Sequence, residues 1–188
     1  LYGIYGALSL LLAARWRRVE LSYLGLGLLA AAPFWALWWR AAEVTPVWSL
    51  VLAGESLLMS IVTAALDHWT QKRGDHELTD WVARVFGSPL ARGGVLCSLL
   101  ALAVLPLAGW SGTATLAACL ASVAVAWLAV TWRKRSAPWF AAHQAMLIVA
   151  AVVATTAWLE GRAWVTSVPQ DLFHPASLQA YGVALAVL

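Results

Sequence analysis

PVWSLVLAGESLLMSIVTAAL, residues 46–66, decides the class of the molecule. Its apolar residues run continuously instead of alternating, which excludes a membrane-barrel strand. Its length matches the roughly 20 residues a helix needs to cross a hydrocarbon core of about 30 Å. Asp67 and His68 close the run, and one carboxylate, Glu55, stands at its middle.

Similar runs lie on either side. Residues 21–39 stop at Arg40, and residues 94–110 are followed by Ser111, Gly112 and Thr113, enough for a tight turn. Residues 114–132 end at Arg133, Lys134 and Arg135, and residues 138–158 end before Glu160. The stretches 1–14 and 178–188 read as two truncated spans. Composition agrees: 62% of the 188 residues are hydrophobic, 11% are charged, and mean hydropathy is +0.77. Ordinary soluble domains hold roughly 45–50% apolar and 25% charged residues, so a disordered chain, a disulfide scaffold and a water-soluble fold are excluded. The expected fold is an all-α polytopic bundle of five complete and two truncated spans. Both ends fall inside apolar runs and residue 1 is leucine. The chain therefore reads as one membrane domain, 1–188, taken from a longer protein.

Loop charge gives the orientation. Loops 15–20, 67–93 and 133–137 hold ten of the twelve Lys and Arg residues, and the alternate loops hold only Arg40 and Arg162. Basic residues accumulate on the cytoplasmic side, which places those three loops in the cytoplasm and the N-terminal end outside. This bias accounts for the net charge of +3 without nucleic acid. Tryptophan follows depth as well. Trp16, Trp38, Trp39, Trp48, Trp69, Trp110, Trp132, Trp139 and Trp158 fall near span ends, as amphipathic indoles at the headgroup level do. An aromatic cage would instead need convergence on one cavity.

Loop 67–93 carries Leu78, Trp81, Val82, Val85 and Phe86 on one helical face. Asp75 is placed to cap it, Asp80 and Arg84 have pairing spacing, and Gly87 with Pro89 should end it. The expectation is a cytoplasmic amphipathic helix. Its mixed charge suits resting on the bundle or docking a partner better than lying on anionic lipid.

Arg-Trp-Arg-Arg at 15–18 is echoed by Trp-Arg-Lys-Arg at 132–135. Ser49-Leu50-xxx-Gly54-xx-Leu57 is echoed by Ser177-Leu178-xxx-Gly182-xx-Leu185. The offsets fit four-helix repeat units 1–113 and 114–188, the second incomplete, although Arg-rich loops and Trp-rich span ends arise without any repeat. The strings WRKRSAPWFAAHQAM (132–146) and HPASLQAYGVAL (174–185) resemble segments of very large, many-helix bacterial membrane proteins. That resemblance implies a repeated polytopic chain and brings no activity, cofactor or site; the expected location is the bacterial inner membrane.

Glu55 is the residue most open to a chemical role, because a charge at mid-bilayer costs roughly 2.5–3.5 kcal/mol on insertion scales and faces the bundle interior. Ser56, Ser60, Thr63 and Asp67 continue from it as one polar stripe. The stripe reads either as a substrate or proton path toward the cytoplasm or as close helix packing around a neutral carboxyl. His68 and His143 have no ligand spacing, so they read as packing residues, and Gln144 is placed for an interhelical hydrogen bond. Cys97 and Cys119 fall at depths about 15 Å apart, which forbids a disulfide. Ala114, Ala118, Ser122 and Ala126 form a small-residue face on their span. CxxC, HExxH, GxGxxG, Walker and GxSxG motifs are absent from the sequence.

The expectation is therefore no catalytic residue, no cofactor and no metal. The chain reads first as a non-enzymatic scaffold or subunit of a membrane assembly, whose partners are the bilayer and other membrane helices. Second comes a proton-coupled transporter using Glu55. Third comes a membrane-embedded transferase, for which the outer loops offer only Arg40, Glu43, Glu160, Arg162, Asp171 and His174.

Single cysteines placed in loops 67–93 and 133–137 should be shielded from an impermeant thiol reagent applied outside, and one at Ser111 should be labelled. Labelling of all three would overturn the topology.

Overall fold

Each apolar run becomes a helix because hydrocarbon offers its backbone N–H and C=O groups no other partner. The computed structural model describes residues 1–40, 46–73, 76–107, 112–162, 164–165 and 170–188. In chain order these form α1 (Tyr2–Trp16), α2 (Val19–Arg40), α3 (Pro46–Arg73), α4 (His76–Val82), a π-helical turn (Ala83–Gly87) and α5 (Ser88–Val104). Then follow α6 (Thr113–Lys134), α7 (Ala137–Glu160), a 3-10 turn (Gln170–Phe173) and α8 (Pro175–Ala186). There is no strand among the described residues. Five helical segments are long and apolar enough to cross a membrane: Val19–Arg40, Pro46–Lys72, Glu77–Val104, Thr113–Lys134 and Ala137–Glu160. The flanking helices α1 and α8 have 15 and 12 residues.

The chain folds as antiparallel hairpins, α1 with α2, α3 with α4–α5, and α6 with α7, with α8 against α7. Helix α3 is central, packed on α5 on one side and α6 on the other. The core gathers around it, with Leu52, Ala53 and Met59 of α3 meeting Cys97 and Ala101 of α5 and Cys119, Val123 and Trp127 of α6.

Two boundaries differ from the sequence expectation. Helix α3 continues past Asp67 to Arg73, and the apolar helical segment expected over 94–110 runs over Glu77–Val104. Gly87 and Pro89 do not stop the amphipathic segment. Pro89 lacks an N–H, and its ring would strike the carbonyl four residues back, so the turn before it widens to π geometry and the helix carries on into α5. The amphipathic segment is therefore continuous with α5, with Val82 and Val85 buried against the bundle. Asp75, Ser111, Trp110 and Glu43 lie outside the described residues. Arg84 does not pair with the Asp80 carboxylate; its Nε donates to the Asp80 carbonyl at 3.2 Å. The small-residue face of α6 is buried only in part. Ala114 and Ala118 are exposed and Ser122 Oγ donates to Ala118 of its own helix, while Ala126 is buried along with Ala117, Leu120, Val123, Ala124 and Trp127.

The hairpins α1–α2 and α6–α7 turn alike. Each first helix ends on an arginine with left-handed backbone, Arg17 at φ 54° and Arg135 at φ 47°, and the next helix begins two residues later. Indoles at helix ends point outward, among them Trp16, Trp39, Trp132 and Trp158.

Helices α1 and α2 cross at paired glycines. A Cβ on Gly25 would sit 2.9 Å from the Gly6 carbonyl oxygen, and one on Gly6 the same distance from the Gly25 oxygen. Gly27, two residues along, has nothing within 4 Å. Gly25→Ala should therefore cost about 1–3 kcal/mol in an SDS-unfolding titration, by separating the helices. Gly27→Ala should be neutral or slightly stabilising, since alanine is the better helix former. Equal effects at both positions would contradict the crossing.

Candidate functional site

The polar stripe of α3 is divided in the structure, and its members do different work. Ser56 is fully buried, and its Oγ donates to the Gly94 carbonyl of α5 at 2.7 Å. Thr63 Oγ1 turns back to donate to Met59 of its own helix at 2.7 Å. Asp67 accepts from Arg133 Nε of α6 at 3.1 Å. Glu55 is half-buried beside α5, where Cys97 Sγ donates to its Oε2 at 3.9 Å.

Below Glu55 the bundle opens. Asp67, Arg133 and the pair formed by Arg17 and Glu77, 3.5 Å apart, lie at one end of the molecule, where the turns α1–α2, α3–α4 and α6–α7 meet. At this basic end a cleft of about 800 Å³ lies between α3, α5 and the α6–α7 turn. Ser60, Thr63, Ala64, Val95 and Val130 line its inner part. Asp67, Arg92, Arg133, Lys134 and Arg135 line it toward its basic side, with Trp132 and Trp139. The structure thus brings Ser60, Thr63 and Asp67 of the stripe to one cavity, and Glu55 and Ser56 are not on its wall. Five residues of rise, about 7.5 Å, separate Ser60 from Glu55.

Arg133 builds the cleft's inner wall. Its Nε reaches Asp67 on α3, and its Nη1 donates to the Gly87 carbonyl at 3.1 Å, in the last residue of the π turn. A planar guanidinium makes both bonds at once from fixed geometry, which an ammonium cannot do. Neither Pro89 nor Arg133 looks like a site residue in the sequence. Proline reads as a helix stop, and the basic triplet reads as a topology signal. The contact across 46 residues appears only in three dimensions.

The remaining candidates are occupied locally. His143 is buried, with Nδ1 2.8 Å from the Ala124 carbonyl of α6, and so supplies the interhelical bond expected of its neighbour Gln144. His68 lines the cleft. Among the described residues no three His, Cys, Asp or Glu side chains cluster as a metal site would require. Cys97 and Cys119 are free and buried, and Cys119 Sγ donates to the Ser49 carbonyl at 3.7 Å. Since Cys97 meets Glu55, the two cysteines contact α3 six residues apart, about 9 Å of rise. At the opposite end Glu160 accepts from Thr113, Arg162 lies 3.9 Å over the Trp158 ring, and His174 caps α8 by accepting from Ala176 N–H.

Arg133→Lys should retain the attraction to Asp67 and lose the bond to Gly87. Arg133→Ala should lose both and leave two acceptors unanswered. We expect a destabilisation of about 1–3 kcal/mol for alanine and a smaller loss for lysine in detergent-unfolding titrations. Lysine no better than alanine would mean that the charge contributes nothing.

No family model, curated protein or solved structure matches the chain.

Proposed function

We propose that the chain is a non-enzymatic helical module, a scaffold or subunit of a larger membrane assembly. Its basic end would face the cytoplasm of a bacterial inner membrane, and its partners would be lipid and other membrane helices. One observation carries the reading: Ser56, Thr63 and Asp67, polar groups of α3 that chemistry would need, are engaged within the bundle. Ser56 ties α3 to α5, Asp67 ties α3 to α6, and Thr63 is closed on its own turn. The outer helices support it too. Only 11% of the apolar windows of α2 and of α7 is buried within the molecule, against 39% for α3 and α6, so both present wide apolar faces to lipid or to further helices. The matching left-handed arginine turns at Arg17 and Arg135 support a repeated hairpin unit.

A proton-coupled transporter is the second reading, and the depth of the cleft favours it. The cavity reaches Ser60 from the basic end and stops about 7.5 Å of helix rise short of Glu55.

Proteoliposomes loaded with a pH-sensitive dye and exposed to a pH step separate the two. The module reading expects acidification no faster than in protein-free vesicles, and the same trace for Glu55→Gln, which keeps size and hydrogen bonding but cannot ionise. A protein-dependent proton flux abolished by Glu55→Gln would replace the module by the transporter.

A further inference from the structure

The cleft at the basic end has a charge balance that the fold does not explain. It is lined by four permanent cations, Arg92, Arg133, Lys134 and Arg135, and one carboxylate, Asp67. Asp67 is already matched by Arg133 at 3.1 Å. Arg92 is held by a neutral group, with Nη1 donating to the Tyr23 hydroxyl at 3.0 Å. Lys134 is held by another, its ammonium 5.4 Å over the Trp139 ring. Arg135 projects from the left-handed turn that starts α7. None of these three has an ion-pair partner among the described residues. Neutral partners fix where a cation sits and leave its charge intact, so three cations without a counter-charge stand on the wall of one concave space.

The wall beneath them is of another kind. Ala64, Val95, Ala129 and Val130 line it, with the hydroxyls of Ser60 and Thr63 among them. A space cationic at its mouth and largely aliphatic below suits an amphiphile whose anionic head meets the cations. We propose that the cleft binds a phosphate group, held by Arg92, Lys134 and Arg135 around the fixed Arg133–Asp67 pair, and that the apolar wall makes an anionic phospholipid its source. This goes beyond the module reading and does not rest on it, since a scaffold and a transporter would both retain such a site.

Native mass spectrometry of the protein in a neutral detergent tests it, with phosphatidylglycerol, phosphatidylcholine and inorganic phosphate added separately. Phosphatidylglycerol should bind at least ten-fold more tightly than phosphatidylcholine. The triple variant Arg92→Gln, Lys134→Gln, Arg135→Asn should lose roughly five-fold per cation, on the order of 100-fold together. Asparagine is chosen at 135 because it tolerates left-handed backbone. Arg15→Gln with Arg18→Gln removes two charges from the same end outside the cleft and should leave binding unchanged. If the triple variant does not fold, Arg135→Asn alone should still show its five-fold loss. Inorganic phosphate bound with the same residue dependence would support the site and assign it to the free anion. Binding that is equal in wild type and the cleft variants, or that falls equally with the Arg15 and Arg18 pair, would overturn the proposal.

Discussion

The molecule depends on the approach of α3 to α5, made by the Ser56 hydroxyl donating to the Gly94 carbonyl at 2.7 Å. In lipid, apolar side chains gain little by leaving hydrocarbon for one another, so helices are held by close packing and polar ties. Gly94 makes the first available: a Cβ there would stand 3.4 Å from both the Ser56 carbonyl and Met59 Cβ, at the tight limit of contact. Ser56 supplies the second. With α5 drawn this close, α3 presents its other side to α6, where Cys119 and Val123 are fully buried against it. The neighbouring pairs repeat the device. Trp127 Nε1 of α6 donates to Ser98 Oγ of α5 at 2.8 Å, and Thr156 of α7 meets the Tyr181 hydroxyl of α8 at 2.8 Å. Such bonds average only about 0.6–2 kcal/mol in a membrane, so the bundle is held by their distribution across its interfaces.

Pro89 shapes the basic end through the same logic. Its missing N–H and its ring cannot fit a regular helix, and the strain is relieved by one wide turn over Ala83–Gly87. Arg133 donates to the Gly87 carbonyl at the end of that turn while it holds Asp67. A local backbone irregularity in one hairpin is thereby answered by a side chain from another. The answer fixes the distance between α3, α5 and the α6–α7 turn, which is the width of the cleft.

Hydropathy made the helical class and most of the spans legible, because a continuous apolar run of membrane length has few alternatives. The extent of the helical segment Glu77–Val104 was not, and the reason lies in two residues. Gly87 and Pro89 carry the local signature of a helix end, and only packing of Val82, Val85 and Phe86 on the bundle makes continuation through a π turn the better solution. The small residues of α6 misled in part. Of the face Ala114, Ala118, Ser122 and Ala126 only Ala126 is buried, and the larger Val123 and Trp127 find complementary space beside α3 and α5. The stripe from Glu55 to Asp67 was visible as a pattern, but its division was not, because hydrogen bonds to Gly94 and Arg133 depend on helices distant in the chain.

The basic residues carry a last distinction. A bias of loop charge that orients a chain in a membrane asks only that lysines and arginines be present on one side. It sets no requirement on where their side chains lie, and flexible cations in water would serve it equally. Here Arg92 is held on a phenol, Lys134 over an indole and Arg133 on a carboxylate and a carbonyl, all around one cavity. Holding a long side chain in place costs conformational entropy, roughly 1.5–2 kcal/mol for a fully fixed Lys or Arg. Orientation in the bilayer does not require that cost. A site that must meet an anion at a fixed place does, because pre-arranged cations leave less to be ordered when the ligand arrives.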